Sequence, residues 1–136
     1  MRLSVRKDYE KARAIRKMIG NRKIFVRDFK DKVDVTIICE NYYEIVKELA
    51  TALFLCRGIK FIGNYAHKEL IKETIRLLDL DESFFILFDD LRLRRNGSLY
   101  YGEGFERNYL VNNEGRLKIL IDKIEKGLVK ELEIGE

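Results

Sequence analysis

Apolar residues along this chain recur at intervals of three and four, the period of one helix face. Val5, Tyr9, Ala12, Ile15 and Ile19 form a first stripe and predict a helix over residues 4–19, stopped by Gly20-Asn21. Residues 21–30 read as a linker anchored by Ile24-Phe25-Val26. The strongest pattern follows over 31–57, where Ile38, Tyr42, Ile45, Leu49, Ala52 and Cys56 run beside a second row of Cys39, Tyr43, Val46, Ala50 and Leu53. An apolar arc that wide predicts a central helix. Leu70, Ile71, Ile75 and Leu78 mark a third helix over 65–79. Asp79-Leu80-Asp81-Glu82 has the spacing of a capping box and predicts a fourth helix over 80–96, with Phe84, Phe85, Leu87, Phe88 and Leu91 inward and Asn96-Gly97 at its end. Residues 97–111 are the least periodic. A fifth helix is expected over 113–131, through Leu117, Leu120, Ile121, Ile124 and Leu128. No strand alternation is expected; Val33–Ile38 is β-branched, but the periodicity beyond it favours helix. Short connections between five helices predict an all-α antiparallel bundle over residues 1–136 as a single domain.

Composition narrows the chemistry. Of 136 residues 46% are hydrophobic, enough for a core. One His and two Cys cannot build a four-ligand His/Cys zinc site within one chain. Cys39 and Cys56, about 25 Å apart on one helix at ~1.5 Å rise per residue, cannot reach the ~7 Å that a disulfide requires and read as buried thiols of a reducing cytoplasm. The longest unbroken apolar run, Phe84–Phe88, is too short to span a bilayer. Charge is uneven: residues 1–32 hold 12 Lys/Arg against 4 Asp/Glu, a net of +8, while 33–136 net −4. A basic segment of this kind suits either polyanion contact or a solvated helix face.

Phosphate-loop, dinucleotide-fingerprint and zinc-protease patterns are absent, and no cofactor is implied. His67, in the first turn of the third helix, is expected to be structural or solvated. The informative stretch is Asp89–Gly102. Arg92, Arg94 and Arg95 cluster at a helix end, and Asn96, Ser98, Tyr100 and Tyr101 follow between glycines. Two readings fit. In one, arginines complement a helix C-terminus, Asp90 pairs with Arg94, and the tyrosines pack the bundle end. In the other, guanidinium forks with neutral donors and aromatic faces hold phosphate.

The segments YYEIVKELATALFLCRGI, NYAHKELIKETIRLL and LRLRRNGSLYYG, in that order, resemble the HEPN domain of small archaeal and bacterial proteins over roughly residues 30–102. The resemblance implies a helical homodimer with two motif copies facing each other. Active members are metal-independent ribonucleases, some of them toxins partnered by a nucleotidyltransferase-type antitoxin. By position, Arg95 matches the motif arginine, Asn96 the polar residue after it, and Tyr100 the place of the family's His; Arg94 and Tyr101 flank them. An imidazole titrating near ~6.5 moves protons at neutral pH, whereas a phenol near ~10 is a poor base. The expectation is therefore nucleotide or RNA phosphate binding through Arg94, Arg95, Asn96 and Tyr101, with catalysis by Arg95, Asn96 and Tyr100 weak or lost. The alternatives are an active ribonuclease toxin and a helical protein-interaction module.

Overall fold

The computed structural model describes residues 1–135. Five helices pack together: α1 (Tyr9–Phe29), α2 (Val35–Leu55), α3 (Ala66–Leu77), α4 (Ser83–Tyr101) and α5 (Arg107–Ile134). A hairpin-like pair of three-residue strands, β1 (Arg2–Ser4) and β2 (Ile59–Phe61), joins the chain start to the segment after α2.

The bundle is built around α2, which buries eleven side chains, among them Ile38, Tyr43, Ile45, Leu49 and Leu53. Fully burying one such side chain contributes roughly 1.5–3 kcal/mol, so this helix dominates the core. Polar contacts set the directions. Asp8 N–H donates to the Leu55 carbonyl at 3.0 Å, and Arg22 to Asn41 at 3.0 Å, so α1 runs against α2. Ser98 donates to Glu40 at 3.0 Å, so α4 also runs against α2. Tyr42 meets Glu114 and Arg57 meets Glu131, so α5 runs with α2. Successive long helices therefore alternate in direction, and both cysteines are free and buried. Burial pushes the Cys39 thiol up to about 12. Among the described residues no helix is long and apolar enough to cross a membrane.

The boundaries correct several sequence expectations. α1 does not occupy 4–19. Ser4 belongs to a strand, in which Arg2, Leu3 and Ser4 pair antiparallel with Phe61, Lys60 and Ile59, and residues 5–8 are irregular. Here Gly58 is required: it has φ +71°, and a Cβ would lie 2.7 Å from the Val5 carbonyl oxygen. α1 starts instead at an Asp8 cap that accepts the Lys11 N–H at 2.9 Å. It continues through Gly20-Asn21 because Ala12, Ile19 and Val26 all bury on one face. That packing outweighs the ~1 kcal/mol cost of a mid-helix glycine.

The capping box over Asp79–Glu82 does not form. Asp79 takes a left-handed φ of 51° and ends α3. Leu80 N–H returns to the Ile75 carbonyl at 2.9 Å and Asp79 N–H to Arg76 at 3.2 Å, the paired bonds of a Schellman termination. The neighbouring Asp81 caps α4 instead, accepting the Ser83 N–H at 2.8 Å.

Nor does Asn96-Gly97 stop α4. The helix runs on to Tyr101 and ends at Gly102, whose φ of 69° supplies the left-handed cap. The aperiodic segment thereby shrinks to 102–106. Phe105 is buried and its N–H bonds the Thr36 hydroxyl at 2.8 Å, which tethers the connection to the start of α2. With Tyr109 and Leu110 also buried, α5 begins at Arg107 rather than 113.

Candidate functional site

Arg92, Arg95 and Asn96 stand at i, i+3 and i+4 on one face of α4, and Tyr100 follows one turn later. That face meets Tyr43 of α2 and the start of α3. Together with Asn64, His67 and Lys68 these residues line a pocket of about 190 Å³. Three helices thus contribute, and the pocket exists only because α3 and α4 both pack on α2.

Tyr43 is its hub. The Arg95 guanidinium lies 4.9 Å over the Tyr43 ring, a cation–π contact. The Tyr43 hydroxyl is 2.6 Å from His67 Nδ1. Beneath, Tyr43 stacks on Phe88 at 5.3 Å, which fixes the ring against the core. Arg95 also reaches Glu44 at 3.5 Å, too long for a strong charge-assisted bond. Arg92 is held by Asp89 at 2.9–3.0 Å. Lys68 has no ion pair among the described residues, and no carboxylate lines the pocket.

Protonation states follow from the packing. Burial pushes the Tyr43 phenol up to about 12, so it keeps its proton at neutral pH. His67 is open to solvent on one side, but crowding of its inner edge lowers its pKa, and the charges of Lys47 and Arg95 lower it further; Glu44 and Glu48 oppose them. The imidazole is therefore neutral at pH 7. Across the 2.6 Å contact one proton is shared between the Tyr43 hydroxyl and Nδ1, and which of the two donates sets the imidazole tautomer. The pocket presents a guanidinium, an ammonium, an amide, a phenol and a neutral imidazole. That set suits an oxyanion such as phosphate. Among the described residues no group of three or more His, Cys, Asp or Glu side chains is arranged to hold a metal ion.

Of the residues singled out in the sequence, Arg95, Asn96 and Tyr100 line this pocket, whereas Arg94 and Tyr101 do not. Arg94 pairs with Asp90 at 3.0 Å and lies 4.9 Å over the Tyr109 ring on another side of α4. Tyr101 is 79% exposed. Because α4 extends to residue 101, Arg95 sits inside the helix rather than capping its end. Tyr43 and His67 carried no signal of a site in the sequence. Tyr43 looked like any other core aromatic, and 24 residues separate it from His67.

Two larger grooves lie along α1, and both have carboxylates as well as cations in their walls. One, about 640 Å³, is lined by Arg13, Arg16 and Lys17 together with Glu125 and Glu133, and Arg16 faces Glu125 at 3.5 Å. The other, about 470 Å³, contains the Lys30–Glu114 and Tyr42–Glu114 bonds. Burial pushes the Glu114 carboxyl up, but these two hydrogen bonds and the Lys118 charge together hold it below its ordinary value. Both grooves differ from the Tyr43 pocket in the carboxylates that line them.

No protein-family model, curated protein or solved structure matches the chain.

Proposed function

We propose that this protein is a HEPN-like helical dimer that binds nucleotide or RNA phosphate in the pocket between α2, α3 and α4, with little or no catalysis. The observation that carries this reading is that Arg95, Asn96 and Tyr100 gather with Lys68 around a pocket without a lining carboxylate. Arg95 supplies the fork for a phosphate oxygen pair, held level by the Tyr43 ring. Asn96 adds an amide donor, and Tyr100, 69% exposed, offers a hydroxyl and a face for a base.

The dimer draws support from α4. The wide apolar arc of α2 is consumed within one chain, so it leaves nothing for a partner. On α4, by contrast, Ile86, Leu93 and Tyr100 repeat at intervals of seven and are 64%, 56% and 69% exposed. A second copy packed along Ile86 and Leu93 would cover these two, leave the Tyr100 ring at the rim for the ligand and bring the two pockets to one interface. Leu93→Asp should then convert a dimer into a folded monomer in sedimentation at micromolar concentration. A wild-type protein that sediments as a monomer removes the dimer.

One observation favours a second reading. His67 brings a neutral imidazole to the same pocket, a group that accepts protons at neutral pH. In a metal-independent ribonuclease toxin, with a nucleotidyltransferase-type antitoxin as partner, His67 would stand where Tyr100 falls short. RNA cleavage that persists in EDTA and vanishes in His67→Gln supports the toxin.

The main reading is tested by fluorescence anisotropy with a labelled single-stranded RNA. Binding should fall steeply with salt and be lost in Arg95→Ala. Equal binding by parent and Arg95→Ala refutes the phosphate site and leaves a helical interaction module.

A further inference from the structure

The Arg95 pocket does not end at His67. Ala66 and His67 also line a second cavity of about 240 Å³, so the two open side by side at the start of α3. Its walls include Lys11 from α1, Lys47, Glu48 and Phe54 from α2, and Lys60 and Phe61 from β2. The β1–β2 pairing creates this wall: it draws residues 59–61 beside the segment that leads into α1. Lys11 and Lys60 make no ion pair among the described residues, whereas Lys47 is held by Glu44 at 2.8 Å and Glu48 at 3.5 Å. The floor is aromatic, with Phe54 edge-on to Phe61 at 5.2 Å.

Size points to one site rather than two. At about 190 and 240 Å³ each cavity is smaller than the ~300–1,000 Å³ usual for small-molecule pockets, and joined they fall within that range. Chemistry points the same way. Cations beside aromatic rings occur at both ends, Lys68 and the loosely paired Arg95 at one and Lys11 and Lys60 at the other, with His67 between them and the one lining carboxylate, Glu48, engaged by Lys47. Alternation of backbone cations with stacking faces is how proteins follow a single strand.

We propose that the two cavities form one groove for an extended single-stranded polynucleotide, with one phosphate at Arg95, further phosphates at Lys11 and Lys60, and a base against Phe61. This rests on the reading of the Arg95 pocket as a phosphate site and adds the substrate's length and path.

The test compares three probes: uridine 5′-monophosphate followed by NMR shifts, and eight-residue oligouridylate and oligothymidylate followed by calorimetry. Each is titrated into the parent, Lys11→Gln/Lys60→Gln and Arg95→Ala. The double variant should bind both octamers at least tenfold more weakly and bind the mononucleotide as the parent does. Its salt slope should flatten by about 1.4, since each phosphate contact on a single strand contributes ~0.7. Octamer binding unchanged in the double variant overturns the groove and leaves the Arg95 site standing. Octamer binding that depends on Lys11 and Lys60 but not on Arg95 overturns the Arg95 site instead, and with it the joined groove. A weakening confined to oligouridylate or shared with oligothymidylate separates RNA from any single strand.

Discussion

α2 and α4 are nearly equal in length, 21 and 19 residues, and apolar residues surround both, yet they use them differently. α2 has helices on every side and buries eleven side chains. α4 packs through Phe84, Leu87, Phe88 and Leu91 and leaves Ile86, Leu93, Leu99, Tyr100 and Tyr101 exposed. Apolar composition alone does not distinguish the helix that holds the fold from the helix that has surface to spend. Polar residues are tied to neighbours on both helices, Arg92, Arg94 and Ser98 of α4 among them, and the difference is confined to the pocket. On α2, Glu40, Glu44 and Lys47 are tied to neighbours, while on α4 the pocket-facing Arg95 has only a loose 3.5 Å carboxylate contact.

Stability gives the sharpest test of this contrast. Leu49 is fully buried, so Leu49→Ala should cost about 2–5 kcal/mol in urea unfolding. Leu93→Ala, on the open side of α4, should stay within ~0.5 kcal/mol when unfolding is followed from the monomer. Equal losses at the two positions would erase the distinction.

Binding comes next. Arg95→Ala should lose ~1.5–3 kcal/mol of affinity for an RNA oligonucleotide, the range for hydrogen bonds to charged groups. It should also cost roughly 0.5–1 kcal/mol of stability, because its guanidinium stacks on Tyr43. Arg94→Ala, one residue away but over Tyr109, should leave RNA affinity unchanged. If Arg94→Ala weakens binding as much as Arg95→Ala, general charge rather than the pocket attracts RNA.

Tyr100→Phe removes one exposed hydroxyl and keeps the ring. Affinity should fall by about 0.5–1.5 kcal/mol at most, and Tyr100→Ala should lose more because the stacking face goes too. A Phe variant as poor as the Ala variant would assign the whole contribution to the hydroxyl.

The smallest effect is a pH dependence. His67 titrates below its ordinary value in the fold, so between the folded and unfolded pKa the unfolded chain binds more protons. Stability therefore declines as pH falls from about 6.5, the unfolded imidazole value, towards the folded one. The melting-temperature advantage of the parent over His67→Gln should narrow on acidification across that window. An advantage that widens would place a favourable partner for imidazolium beside His67.

The periodicity of three and four was enough to count five helices and to identify α2 as central. It was least reliable at helix ends. Gly20 and Gly97 looked like stops, but a single mid-helix glycine costs only ~1 kcal/mol; the burial of Ile19 and Val26 outweighs it in α1, and Ser98, next after Gly97, bonds Glu40 of α2. Strands β1 and β2 are three residues each, too short for an alternation to show. The site was half legible: Arg95, Asn96 and Tyr100 stand close together in the chain, whereas Tyr43, His67 and Lys68 reach them only through folding.

What the chain determined alone were properties that act within a few turns: helix number, the buried arc of α2, and the run of arginine, asparagine and tyrosine on one segment. Tertiary structure decided which arginine faces the pocket, since a step of one residue turns a helical side chain by about 100°, and Arg94 and Arg95 thereby part company. It also decided that the single histidine lies beside them. That proximity depends on α3 and α4 packing against the same helix, and no local periodicity records which helices share a neighbour.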